Sequence, residues 1–238
     1  MRIALARDGS RFADQIAELL RSECRELLSL HDARDVLGRL RSSSPDLLVI
    51  AEPFFGAELA GFLRRLRQDV ALKLLPVLCI NGRAGADEGI AALDAGADDF
   101  INRPFHAQIF LARVRTLLRR RVWSGSLQED ESTSLRAGGI EVKLLQRQAL
   151  LDGEPLSLTR LEFDLLTYLV RHADEVLRRD ALLAAVWNYP ESVETRTLDK
   201  HVEALRRKLG RHAGAIETVH AVGYRLNAAP ARARGLRS

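Results

Sequence analysis

The stretch Pro45-Asp46-Leu47-Leu48-Val49-Ile50-Ala51 decides how the first half of the chain is read. Asp46–Ala51 is almost continuously apolar, with no polar residue at every second place. A strand with one wet face alternates; a strand covered by helices on both faces does not, so this run predicts a buried parallel strand. Working outward, Arg2–Ala6 is a short apolar run, and Phe12, Ile16, Leu19 and Leu20 follow it at helical spacing. Leu27, Leu28 and Leu30 suggest a second strand, and Asp32 a cap for a helix carrying Val36, Leu37 and Leu40 inward. Beyond the central run, Leu59, Phe62, Leu63 and Leu66 form a helix stripe and Pro76–Ile80 a strand. Gly96 reads as a left-handed helix end, Phe100-Ile101 as a last strand, and Phe110, Val114, Leu117 and Leu118 as the lining of a last helix. Five βα units predict an α/β fold, a five-stranded doubly wound parallel sheet with helices on both faces. The working site of such a sheet lies at the carboxyl ends of its strands, which here hold Arg7, Asp8, Ala51, Glu52, Asn81 and Arg103.

The whole chain has 238 residues and a formal charge of +4. Its 47% apolar and 29% charged shares exclude a disordered chain. It holds no apolar run of membrane-spanning length, and its start meets charge too early for a secretion signal. Cys24 and Cys79 lie far apart without metal-ligand spacing, which suits a reducing cytoplasm. Residues 1–121 carry a net charge of +3 and residues 135–238 one of +4, while 122–134 carry three acids and no base. That polar, small-residue stretch reads as a linker, and 229–238, with Arg232, Arg234 and Arg237, as a basic disordered tail.

Pro45-Asp46-Leu47-Leu48-Val49-Ile50, Gly96-Ala97-Asp98-Asp99-Phe100 and Arg103-Pro104-Phe105, with the helix ending Leu117-Leu118-Arg119-Arg120, resemble the receiver domain of a response regulator over residues 1–121. The resemblance implies an acidic pair holding magnesium, an acceptor aspartate, a switch hydroxyl and a lysine, at four strand ends. Those places hold Arg7-Asp8, Ala51, Asn81 and Arg103. A cation replaces one hard oxygen ligand, and a methyl group cannot form an acyl phosphate. The expectation is a degenerate receiver that is not phosphorylated and holds no metal or other cofactor. Three readings of its pocket stay open: Arg7 and Arg103 converging on Asp8 and Glu52 as a fixed ion pair, simple decay, or an anionic ligand between the two arginines. Glu52, turned the other way by strand alternation, is the alternative acceptor.

Relatives of this kind pair through their fourth helix, fifth strand and fifth helix. By resemblance, Asp98, Asp99, Ile109, Arg113, Arg115 and Arg120 make that face here. Ile109 stands where relatives carry an acid, and its basic partner aligns near Gly89, so an apolar contact replaces a polar one. A homodimer without phosphorylation is expected.

In the second half, Gly139–Val142, Gln148–Leu151 and Leu156–Leu158 read as short strands, with Asp152-Gly153 as a turn. Thr159-Arg160-Leu161-Glu162 is a capping box opening a helix that runs to about His172. Arg179–Trp187 reads as a second helix, Asn188–Glu194 as a loop, Thr195–Leu209 as a third helix closed by Gly210 in the left-handed region, and Ile216–Leu226 as a hairpin. At 100° per residue Leu198, Val202, Leu205 and Leu209 share one face of the third helix. Arg196, Lys200, Glu203, Ala204, Arg207 and Arg211 lie opposite, flanked by Thr197, His201 and Lys208 on one side and Arg206 on the other. A basic outer face of this kind suits the DNA major groove.

Leu158-Thr159, Glu162-Phe163, Val186-Trp187, Arg196-Thr197-Leu198-Asp199, Leu205–Leu209 and Val222-Gly223-Tyr224-Arg225 resemble the winged helix-turn-helix domain of the OmpR/PhoB response regulators, over residues 135–228. The resemblance makes Thr195–Leu209 the recognition helix, Thr218–Arg225 the wing, and Asn188–Glu194 a segment that meets RNA polymerase in some relatives. The wing tip, often Arg-Gly, is His220-Ala221. Arg196, Thr197, Lys200, His201, Ala204, Arg207 and His220 are the expected DNA contacts. Trp187 and Phe163 are expected in the core. The sum is a cytoplasmic DNA-binding transcriptional regulator, not an enzyme and not membrane-bound. The alternatives are a phosphorelay switch with a displaced acceptor and a protein-interaction adaptor.

Overall fold

The computed structural model describes residues 1–81, 86–118, 134–187, 189 and 196–228. The chain divides into two compact units, Met1–Arg121 and Val122–Ser238. The first unit is a sheet of β1 (Arg2–Ala6), β2 (Glu26–Leu30), β3 (Leu47–Ala51), β4 (Val77–Asn81) and β5 (Asp99–Asn102), in the order β2-β1-β3-β4-β5 with every pair parallel. Its helices are α1 (Arg11–Arg21), α2 (Val36–Ser43), α3 (Leu59–Gln68), α4 (Ala86–Asp94) and α5 (Ala107–Leu118). Every residue of β3 and β4 is buried, as an unalternating apolar run requires when helices cover both faces. The register aligns Ile50 with Cys79 and Cys79 with Phe100, so Ala51, Asn81 and Asn102 end neighbouring strands at one edge.

Local chemistry differs from expectation in places. Asp32 does not cap α2: its carboxylate accepts from the Arg34 N–H at 2.9 Å in a tight turn, and Asp35 takes the cap position without a side-chain bond. Gly96 does turn with positive φ (112°), where the Arg67 side chain lies 2.7 Å from the place of a Cβ. Arg67 reaches across that turn to Asp98 at 2.7 Å, and Arg113 of α5 meets Asp99 at 2.8 Å. Asp98 and Asp99 are each only 1% exposed.

The second unit begins with an antiparallel sheet of β6 (Ser134–Ala137), β7 (Ile140–Lys143), β8 (Gln148–Leu151) and β9 (Glu154–Leu156). Ser134, expected in the linker, already pairs with Lys143. Asp152 and Gly153 both have positive φ (50° and 89°), the geometry of a two-residue hairpin turn. In α6 (Arg160–Arg171) both halves of the capping box are made: Thr159 N–H donates to Glu162 at 2.6 Å and Glu162 N–H to the Thr159 hydroxyl at 3.4 Å. The second helix is α7 (Arg179–Leu182), which widens into a π-helical turn over Leu183–Trp187 rather than staying α throughout. Trp187 is fully buried and Phe163 nearly so. Then come α8 (Thr197–Leu209), a 3-10 segment Gly210–Ala215, and the hairpin β11 (Ile216–Val219) and β12 (Gly223–Leu226). Gly210 has positive φ, but its ψ of −117° is not the left-handed helical cap expected. A two-residue strand, β10 (Leu177–Arg178), pairs with β12. It needs glycine at 223, since a Cβ there would fall 2.0 Å from the Leu177 carbonyl oxygen.

Candidate nucleic-acid interface and the strand-end pocket

In the second unit the site is built on α8. Leu198, Val202, Leu205 and Leu209 are all at most 1% exposed, which fixes the rotation of the helix. Arg196, Glu203 and Arg207 are exposed on the other side. Lys200 reaches Glu203 at 2.8 Å, and this bond, helped by Arg207, holds the Glu203 carboxyl below its ordinary range.

Three expected contacts are corrected. Thr197 is 0%, His201 5% and Ala204 8% exposed, so none presents a side chain outward. His201 Nδ1 lies 2.9 Å from the Thr197 carbonyl, and its ring meets Trp187 edge-on at 5.1 Å. The buried face of α8 is therefore wider than the stripe of Leu198, Val202, Leu205 and Leu209, taking in Thr197, His201 and Ala204. Lys208 bonds Glu162 at 2.5 Å, joining α8 to the capping box of α6.

Two positioning clusters were absent from the expected contacts. Arg179 donates to both Asp199 oxygens at 2.7 and 2.6 Å, and the Tyr224 hydroxyl donates to Asp199 as well. Burial pushes the Asp199 carboxyl up, but Arg179 and Tyr224 outweigh it and leave it below the ordinary range. Arg206 donates to the Ile216 carbonyl at 3.0 and 2.7 Å and to the Thr218 hydroxyl at 2.8 Å, tying α8 to the wing. The only sequence signal was Asp199 itself, an acid in a basic stretch at the first turn of a helix. At the wing tip the Val222 N–H donates to the Val219 carbonyl at 3.0 Å, around an exposed His220 and an Ala221 with φ of +59°. The segment Asn188–Glu194, apart from a buried Tyr189, and the tail lie outside the described residues, as do Thr195 and linker residues 122–133.

In the first unit the strand-end residues gather, but not as an ion-pair cluster. Asp8 accepts from the Ser10 hydroxyl at 2.5 Å and the Ser10 N–H at 3.1 Å. Ser10 is the N-cap of α1. Those bonds, with Arg103 and Arg7 nearby, hold the Asp8 carboxyl below its usual range. Arg7 pairs with Asp14, and Arg103 lays its guanidinium over the Phe12 ring, 3.0 Å from the centroid. Arg103 Nε is buried without a hydrogen-bond partner. Of the three open readings, the fixed cluster is met only in part: both arginines act on Asp8, but neither pairs with Glu52, and their closest partners are Asp14 and the Phe12 ring of α1. Glu52 instead accepts from the N–H groups of Phe55 and Gly56 at 3.2 and 2.9 Å. Ala51 and Asn81 are buried. These residues do not fit a magnesium ion: one carboxylate engaged by a serine, a cation in the second ligand place and a methyl group in the third make a poor set for a hard cation.

The expected pairing face is also altered. Asp98, Asp99 and Arg113 are buried in pairs within the unit, and Arg115 meets Glu23 at 2.6 Å. Gly89 is buried beneath Phe100, whose ring lies 2.2 Å from where a Cβ would stand. Ile109 is 40% exposed, and Arg120 lies outside the described residues.

Residues 153–226 match the family described as "Transcriptional regulatory protein, C terminal". The chain is 34% identical over 228 residues to the transcriptional regulatory protein PrrA of Mycobacterium tuberculosis, covering 94% of each chain. It is 30% identical over 227 residues to the DNA-binding response regulator MtrA of Mycolicibacterium smegmatis, covering 94% of this chain and 96% of that one. Among solved structures, a mutant of RitR shares the fold, with a TM-score of 0.71, 22% identity and coverage of 95% of this chain and 98% of that one. The receiver-type sheet, the winged helix with its basic outer face and the near full-length relatives make the chain a DNA-binding transcriptional regulator of the OmpR/PhoB response-regulator family.

Proposed function

We propose that this regulator works in the cytoplasm without aspartyl phosphorylation and binds its operator as a homodimer. The observation that carries the reading is Ala51, a buried methyl at the end of β3 where the acceptor carboxylate of a receiver would stand. Glu52 supports the displaced-acceptor alternative poorly. Its carboxylate is half-buried and already engaged by two backbone N–H groups. For DNA, the exposed Arg196, Arg207 and His220 and the Lys200–Glu203 pair are the proposed contacts. The arginines meet phosphates, and Glu203 is placed to accept from a cytosine amine. Two copies would read half-sites about one helical turn apart. For the dimer, the exposed Ile109 offers an apolar contact. Asn188–Glu194 is the proposed segment for RNA polymerase.

The test is incubation of the full chain with acetyl phosphate and magnesium, followed by intact-mass measurement and promoter binding. The expected outcome is an unmodified mass and unchanged affinity. A stable aspartyl or glutamyl adduct in the first unit that changes promoter occupancy overturns the reading.

A further inference from the structure

Below the strand ends of the first unit lies a cavity of about 610 Å³ between α3 and α4. It exists because small residues face it: Ala57 of the 3-10 turn Gly56–Glu58 and Ala60 of α3 on one side, Gly89, Ala91 and Ala92 of α4 on the other. The Phe100 ring, seated over Gly89, forms one wall, and Cys79 of β4 lies at the strand side. This is the volume and apolar lining of a small-molecule site.

The polar groups at its rim are few and unbalanced. Glu52, Glu88, Asn81 and Arg103 line it. Arg103 is held by the Phe12 ring, and its electrostatic partner is Asp8, not Glu52. Among the described residues no cation pairs with Glu52, and the neighbouring charges that reach it, Glu88 and Asp8, are both repulsive. Burial raises the Glu52 pKa, and those two carboxylates raise it further. A half-buried carboxylate without a counter-ion, at the edge of an apolar cavity, is incomplete in a definite sense: an ammonium group would restore the balance while its carbon skeleton filled the space.

We propose that this cavity binds a small organic cation, a ring-sized apolar body bearing a primary or secondary ammonium that pairs with Glu52. Its role as the input that replaces phosphorylation rests on the reading of the receiver given above; the binding itself does not.

The test uses three probes that share an indol-3-ylethyl body and differ in its terminal group: tryptamine, tryptophol and indole-3-propanoate. Each is titrated calorimetrically into the full chain at neutral pH. Tryptamine is expected to bind at least about tenfold more tightly than tryptophol, and the carboxylate least. In Glu52→Gln the preference for tryptamine over tryptophol should vanish. In Ala60→Phe, which fills the cavity and leaves Glu52 in place, all binding should weaken. Circular dichroism confirms that both variants fold. Equal binding of amine and alcohol, binding of tryptamine unchanged in Glu52→Gln, or no binding of any probe at about 1 mM overturns the proposal. Acetyl phosphate labelling of the same sample separates the two claims. An aspartyl adduct would refute phosphate independence and leave the amine preference to stand or fall on its own titration.

Discussion

Glu52 shows how one side chain carries a pH signature. Burial favours its protonated form, so the folded state holds a proton over a window that begins at the ordinary glutamate range and extends upward. Within that window the folded chain binds more protons than the unfolded one, and stability falls as pH rises. Glu52→Gln cannot ionise. Its stability relative to the natural chain should improve as pH rises through the window, as read from urea midpoints at a series of pH values. Ala221 is a second case. A β-carbon in the left-handed region costs about 1–2 kcal/mol, partly offset by the entropy a glycine loses on folding. Ala221→Gly should stabilise the second unit by about 0.5–1 kcal/mol in thermal unfolding. Sequence reading located the wing tip but not this strain, because the φ of a residue is set by the turn it closes.

At the scale of an element, α8 is positioned by one set of charges and presents another. Asp199 ties it to Arg179 and Tyr224, and Arg206 ties it to the wing. Asp199→Asn removes a bidentate, charge-assisted pair that is partly exposed, which should cost about 1–2 kcal/mol of stability. It should weaken DNA binding without changing the salt slope, since Asp199 touches no phosphate. Arg207→Ala should do the reverse: stability unchanged, affinity lower on every sequence, and a salt slope flatter by about one. Urea denaturation and promoter titration over a salt series separate the two effects. The amphipathic pattern of α8 was legible because its buried stripe repeats every 3.6 residues. Thr197 and His201 were misplaced because periodicity gives an angle about an axis, not which neighbours, such as Trp187 beside His201, cover that angle.

At the scale of the whole molecule, the proposed homodimer has to form without Asp98, Asp99 and Arg113, whose charges are paired inside the receiver unit. Removing one partner of such a buried pair leaves an uncompensated charge, typically costing about 3–5 kcal/mol, so these residues serve the stability of the fold. The proposed pairing rests on Ile109, an exposed apolar side chain. Sedimentation equilibrium should find a dimer without any phosphodonor, and Ile109→Lys should shift it to monomer with unfolding unchanged.

The strands of the sheet and the capping box of α6 follow from features that are local or periodic: apolar runs of strand length, a Thr and a Glu three apart, a turn pair between strands. Such features act through backbone geometry and burial, and the amino-acid order alone determines them, together with the methyl group of Ala51 at the end of β3. Only the folded chain decides which opposite charge each ion meets. Arg7 meets Asp14 and Arg103 meets the Phe12 ring, while Glu52 meets two backbone N–H groups beside a cavity built from small residues on separate helices. Partners are chosen by distances of a few ångströms that depend on how the chain turns after a strand, as for Arg7 and Glu52, or on which distant segments meet, as for Arg103 and Phe12, and the residue pattern encodes neither.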